Sequence, residues 1–282
     1  MILASLWPSR NGHASIEDLG FLSHEPEEDY RVKSKEFLDG EQLDDFRDNP
    51  FLYHKRQRGL IAPQTRRDGE LDRAVQTRIL NGREDYQNRY AFAGPIDPRT
   101  GEPYSTYSSE YRQWAAEQTK PILSVEHANL IEHVAFGYRA HDVAPSLLSE
   151  GIAHGIVRSR YCGVPCQARF DWLNPKRGIV AVVVCDRFTC LDSHLRYSGP
   201  VDELAFHRAL LAQHVGRHVP VHIIAVEKEI PHRCSVWAVS ERLLRSARKN
   251  NEKALASLSQ CRRFNRWPTG YEGIRKLAPI GI

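Results

Sequence analysis

A chain of 282 residues, 41% of them apolar, can bury one large core or two small ones. Its 39 lysines and arginines against 35 acids leave a net charge of +4, a mildly basic balance that permits a polyanionic partner without demanding one. No apolar run is long enough to span a bilayer, and residues 1–7 are too short and too weakly flanked for a secretory signal, so the expectation is a cytoplasmic protein with no membrane association.

Taken in order, residues 1–35 mix charge, Gly and Ser around the acidic run Glu25-Pro26-Glu27-Glu28-Asp29 and show no sustained period. They are expected to form a flexible tail, with residues 36–282 as a single domain. Leu43 and Phe46, followed by Pro50 and Tyr53, mark an opening amphipathic helix. Behind it come basic clusters in which Lys55, Arg56, Arg58, Arg66 and Arg67 are the candidates for phosphate contacts. Leu71, Ala74, Val75 and Ile79 give residues 70–80 a buried helical face. The stretch near 93–107 is dense in Gly and Pro and reads as a loop insert. Two helices are predicted next, over 108–118 and 124–141, with Ser124 and His127 as a partial cap. A short helix near 147–151 and a strand over 156–161 follow.

Residues 166–190 form the centre of the chain. Alternation over 167–173, turn chemistry in Asn174-Pro175-Lys176-Arg177-Gly178 and the β-branched run 179–185 predict a buried hairpin. Asp171 falls inside its first strand, between Phe170 and Trp172, where a carboxylate has to be paired, hydrogen-bonded or bound to metal. The second strand contains no side chain that could partner it. A helix over 201–215 then places Glu203, His207, His214 and His218 at spacings of four, seven and four, which fits a metal-ligand row and fits better a solvent-facing histidine row. Strands over 219–227 and 234–239 and a long helix from 240 to 258 complete the pattern. The spacing of Cys162, Cys166, Cys185 and Cys190 admits a four-thiolate zinc site, but two of them lie in predicted strands, and buried free thiols are the better reading.

The segment Gly163-Val164-Pro165-Cys166-Gln167-Ala168-Arg169-Phe170-Asp171-Trp172 resembles the RecE-type, exodeoxyribonuclease VIII-like branch of the PD-(D/E)XK nucleases. The resemblance extends over residues 36–276 and is densest at 162–173, 220–237 and 261–272. It implies an α/β fold with a restriction-endonuclease-like core, a mixed central sheet flanked by helices. It also implies Mg²⁺ or Mn²⁺ if the protein is active. In that family the second strand carries an Asp and a Lys, which fall here on Ala181 and Val183. A helix His falls on Gln76, a following Glu on Asn81, and a Gln and a Tyr fall on Glu203 and His207.

Of that constellation Asp171 alone is retained. The expectation is therefore a catalytically degenerate nuclease fold, a pseudoenzyme of prophage or recombination type that binds DNA or a protein partner. The alternative is a metal-dependent exonuclease with a rebuilt site of Asp171, Glu203 and His207, with Asp186 or Glu227 supplying the missing acid. A homo-oligomer, or a complex with a recombination partner protein, is a further expectation from the resemblance.

Overall fold

The computed structural model describes residues 21–62, 69–92, 94–192, 195 and 200–273. Arg66 and Arg67 fall outside them. Ten helices of the described residues are used below: α1 Glu27–Lys33, α2 Gly40–Asp48, α3 Pro50–Gln57, α4 Glu70–Leu80, α5 Gly82–Arg89, α6 Ser109–Glu117, α7 Val125–Arg139, α8 Ala144–Leu147, α9 Pro200–Val215 and α10 Glu241–Phe264. The strands are β1 Ala91–Phe92, β2 Ile122–Leu123, β3 Ile152–Ala153, β4 Ile156–Tyr161, β5 Val164–Arg169, β6 Trp172–Asn174, β7 Gly178–Cys185, β8 Val221–Glu227 and β9 Cys234–Ala238.

The central sheet has the order β3-β6-β7-β8-β9 and is mixed: β7 and β8 run parallel, and every other neighbouring pair is antiparallel. Alternation along β7 divides the core. Ala181 belongs to a cluster with α2, α9 and α10, and Val183 packs on it. Val180 and Val182 belong to a second cluster with α4, α5 and α7. Period-two alternation places consecutive residues of β7 under different helical layers, so both faces of the sheet are covered. No helix of the described residues is long and apolar enough to cross a membrane.

The hairpin predicted over 166–190 forms in part. Its turn is as expected: the Asn174 side chain accepts from the amides of Lys176 and Arg177, each at 2.9 Å, and Gly178 adopts φ +82°. Its first strand, however, is split. Residues 164–169 pair with β4 in a separate ladder, and only Trp172–Asn174 pairs with β7. The register on the two sides of the break is nonetheless the same, Ile152↔Leu173 and Ala153↔Trp172 on one side and Ile156↔Arg169 on the other. The two ladders are thus one antiparallel ribbon, kinked where His154 takes φ +57° and still joined there by bonds from His154 N to Asp171 O and from Phe170 N to Gly155 O. Asp171 sits at this kink and not within a strand. A kink of this kind takes one strand out of the sheet and exposes the flank of the next.

Residues 21–35 also differ from the tail expected of them. Leu22 and Tyr30 are buried, Ser23 bridges to Ile156, and Glu25 pairs with both Arg158 and Lys33. Helix α1 therefore packs against the β4-β5 ladder. At the other end Trp267 stacks on His54 with ring centroids 4.2 Å apart, so the terminal run covers α3.

Candidate active site

Past Val180 no strand of the described residues covers the free flank of β7, because β6 ends its pairing at Trp172↔Val180. The peptide groups of Val182 on that flank need partners, since unpaired buried main-chain groups are costly. Two side chains supply them. The Asp171 carboxylate accepts from Val182 N at 2.9 Å, and Gln76 Nε2 donates to Val182 O at 3.0 Å. The second strand thus offers Asp171 its main chain where its side chains offer nothing. Gln76 arrives from α4, whose Ala74 and Val75 are fully buried in the second cluster.

These groups border a cleft of about 540 Å³, which also brings together Ala181, Val183, Glu203 and His207. Every position that the nuclease resemblance assigned to the reaction centre, except Asn81, lines this one cleft. Asn81 caps α4, and its side chain meets His154 Nε2 at 2.9 Å. Burial holds His154 down at about 4, so the imidazole is neutral and its Nε2 carries the proton that Asn81 Oδ1 accepts. His154, absent from the sequence reading, also borders the cleft.

His207 is buried, edge-on to Phe170 with ring centroids 5.8 Å apart, and burial pushes it down to about 4. Glu203 Oε1 lies 3.6 Å from His207 Nε2, beyond hydrogen-bond length, and the Glu203 side chain is 44% exposed, so burial governs the imidazole. The expected histidine row does not form. α9 ends at Val215, ahead of His218, His207 is buried, and His214 stacks on Phe21. Among the described residues no group of three or more His, Cys, Asp or Glu is arranged to hold a metal ion.

The acids nominated as substitutes are committed elsewhere. Glu227 is 2% exposed, receives two 2.7 Å bonds from Arg233 and one from Phe188 N, and the Arg233 guanidinium holds it down at about 2. Lys228 leaves the strand on the opposite side and reaches Asp72 at 2.7 Å and Asp186 at 3.0 Å. Neither acid lines the cleft. The positions that the resemblance assigns to the metal do not supply two carboxylates for Mg²⁺ or Mn²⁺: Ala181 and Val183 have no donor atom, one Asp171 oxygen is engaged on an amide, and Gln76 is turned to a carbonyl. The Cys166, Cys185 and Cys162 thiols are free, and burial raises all three.

The described basic candidates, Lys55, Arg56 and Arg58, do not line this cleft. Lys55 sits over the Phe51 ring, Arg56 is 3.7 Å from Asp45, and Arg58 caps α3 and is exposed. The cleft's own cations are Arg31, Arg73, Arg89 and Arg169. Of these, Arg169 belongs to the Arg-Phe-Asp run visible in the sequence, which could have nominated it.

A mixed sheet between helical layers, with an acid at the kink beside the second strand, defines the core of a PD-(D/E)XK-like nuclease fold. Residues 101–277 match the family described as a PDDEXK-like domain of unknown function (DUF3799), and the chain belongs to that family. A crystal structure from Eubacterium rectale, described as a “Putative exonuclease”, is similar in fold at a TM-score of 0.65 and 14% identity, covering 92% of this chain and 97% of that one. No curated protein matches the chain.

Proposed function

We propose that this is a RecE-type nuclease-like protein whose hydrolytic site is degenerate and which acts by holding DNA or a protein partner. The observation that supports this reading is the use of Asp171 and Gln76 on the two sides of Val182, flanked by Ala181 and Val183. Phosphodiester hydrolysis assisted by metal needs carboxylates to hold the ion and a cation facing the charge that develops on phosphate. Here Asp171 is the one acid kept at the positions the family uses for this, it bonds a main-chain amide, and an aliphatic side chain stands where the family places its lysine. On this reading DNA meets the basic surface of α3, where Arg58 is exposed and Lys55 is half-buried.

The test is calorimetric titration of wild type and Asp171→Asn with Mn²⁺ and Mg²⁺, with linear duplex degradation assayed on the same samples. Absence of both binding and cleavage supports the reading. Cleavage by the wild type that disappears in Asp171→Asn would overturn it. That outcome would favour the second reading, a metal-dependent exonuclease rebuilt on Asp171, Glu203 and His207, which the shared cleft of these three side chains keeps in view.

A further inference from the structure

Strand β9 closes the central sheet at one edge, and no strand of the described residues lies beyond it. Its ladder to β8 is framed by two main-chain bonds, from Glu227 N to Arg233 O at 3.0 Å and from Val239 N to Val221 O at 2.9 Å. Bonded positions alternate in an antiparallel pair, so Arg233, Ser235, Trp237 and Val239 turn their peptide groups to β8. Cys234, Val236 and Ala238 turn theirs outward, and among the described residues no bond reaches them there. Such an edge invites pairing, and proteins blunt it with charge, proline or brevity. The opposite edge is blunted: β3 has two residues, and the chain beyond it leaves with the β4-β5 ribbon. β9 has five residues, Cys-Ser-Val-Trp-Ala, with no charge and no proline. Large apolar side chains are exposed around it. Trp237 is 37% exposed, and at the start of the strand Ile230 is 86% exposed and Phe136 66%. Phe136 is brought there by its neighbour Gly137, which packs so closely on His232 that a Cβ would fall 2.2 Å from the carbonyl oxygen.

We infer that β9 docks on β9 of a second copy of this chain, antiparallel about a two-fold axis at Val236, to make one sheet continuous through both copies. At that register Cys234 stands opposite the partner's Ala238, and Val236 opposite the partner's Val236, as bonded pairs that exchange both N–H···O links. Every outward peptide group of the strand is then met. A shift by one residue breaks all of these bonds, and a shift by two sets Cys234 or Ala238 opposite a residue outside the strand. The side chains agree with this register. Trp237 stands opposite the partner's Ser235, and the two tryptophans, diagonal to each other across the axis, come within reach. Arg233 meets the partner's Val239, so no opposed pair from 233 to 239 sets like charges together. A foreign strand could bond the same groups, but the self-matched register favours a second copy.

No residue of β9 lines the cleft, and the pairing is tested without metal or DNA, so its failure leaves the proposed function untouched. The full chain is followed by sedimentation velocity from about 1 to 100 µM, a span that brackets a modest interface. Wild type should move from the mass of one chain toward twice that mass. Val236→Pro should weaken association at least about tenfold. Its fold should hold, because the proline removes an N–H that points away from β8 and leaves the β8 ladder whole. Ala238→Lys charges an already exposed edge residue and should have the same effect, which keeps the test open if the proline variant does not fold. Amide hydrogen exchange assigns the surface. In dilute wild type Cys234, Val236 and Ala238 should exchange fast and Ser235 and Trp237 slowly, and on concentration the first three should slow as well. Wild type that stays monomeric to about 100 µM would overturn the inference. So would a dimer that survives in both variants or leaves the three outward amides fast. A monomer whose three amides slow only when an unrelated strand-forming peptide is added would overturn it in favour of a foreign strand.

Discussion

Asp171 and Gln76, 95 residues apart in the chain, grip the same residue from opposite ends: the carboxylate takes the Val182 amide and the amide side chain gives to the Val182 carbonyl. The two side chains do for the flank of β7 what another strand would have done. Asp171→Ala leaves the Val182 amide unmet and should lower stability by about 1–3 kcal/mol. Asp171→Asn keeps an acceptor oxygen and should cost less. Urea unfolding of the two variants at neutral pH gives the comparison, and an Asp171→Ala protein as stable as wild type would remove the bond's structural role.

His207 sets an acid limit on stability. Its folded value of about 4 lies below the 6.5 of an exposed histidine, so the unfolded chain binds the proton more readily. The contribution of the buried neutral ring is full above about 6.5 and is lost as pH falls toward about 4. It amounts to a loss on the order of 3 kcal/mol at the acid end. His154, also at about 4, adds a loss of the same sign in the same window. Thermal melts between pH 7 and pH 4.5 should show a steep fall in wild type and a shallower one in His207→Leu.

Gly40 opens α2 directly against Glu203. A methyl group there would stand 2.7 Å from Glu203 Cγ, too near the root of that side chain for a small rotation to relieve. Gly40→Ala should cost about 1–3 kcal/mol. Gly40→Ala with Glu203→Ala should cost less than the two single changes together. Additive costs in denaturant melts would show that the clash is absorbed elsewhere.

Gly178 is bound by both conformation and space. It adopts φ +82°, and a Cβ would fall 2.2 Å from the Pro220 carbonyl oxygen. Gly178→Ala should destabilise by roughly 2–5 kcal/mol, because strain and overlap combine at the point where β7 begins to pair with β8. The urea midpoint should fall with the m-value unchanged.

Local chemistry made much of this fold readable. The helix over 70–80, the strand over 156–161 and the Asn174–Gly178 turn are fixed by periodicity or by turn residues, and each appears where its residues place it. The kink at Asp171 was not readable, because the alternation of 167–173 continues straight through it and the break depends on His154, seventeen residues earlier. For the same reason the partner of Asp171 escaped a reading confined to side chains. The packing of residues 21–35 rests on Arg158 and Ile156, more than a hundred residues away, and no local pattern announces it. The burial of His207 was equally hidden, since α9 is apolar on most of its faces and its buried residues include His207 and Arg208.

The bond from Val182 to Asp171 also makes one backbone position a reporter. A main-chain amide on an uncovered flank would trade its proton with solvent as a loop does, whereas one held by a carboxylate exchanges slowly and resonates downfield. A cation drawn to Asp171, or a proton added to it, draws charge away from the oxygen that holds this amide and weakens the bond. The exchange rate and chemical shift of a single nuclear spin pair, Val182 ¹⁵N–¹H, therefore read the occupancy of the carboxylate without any assay of turnover.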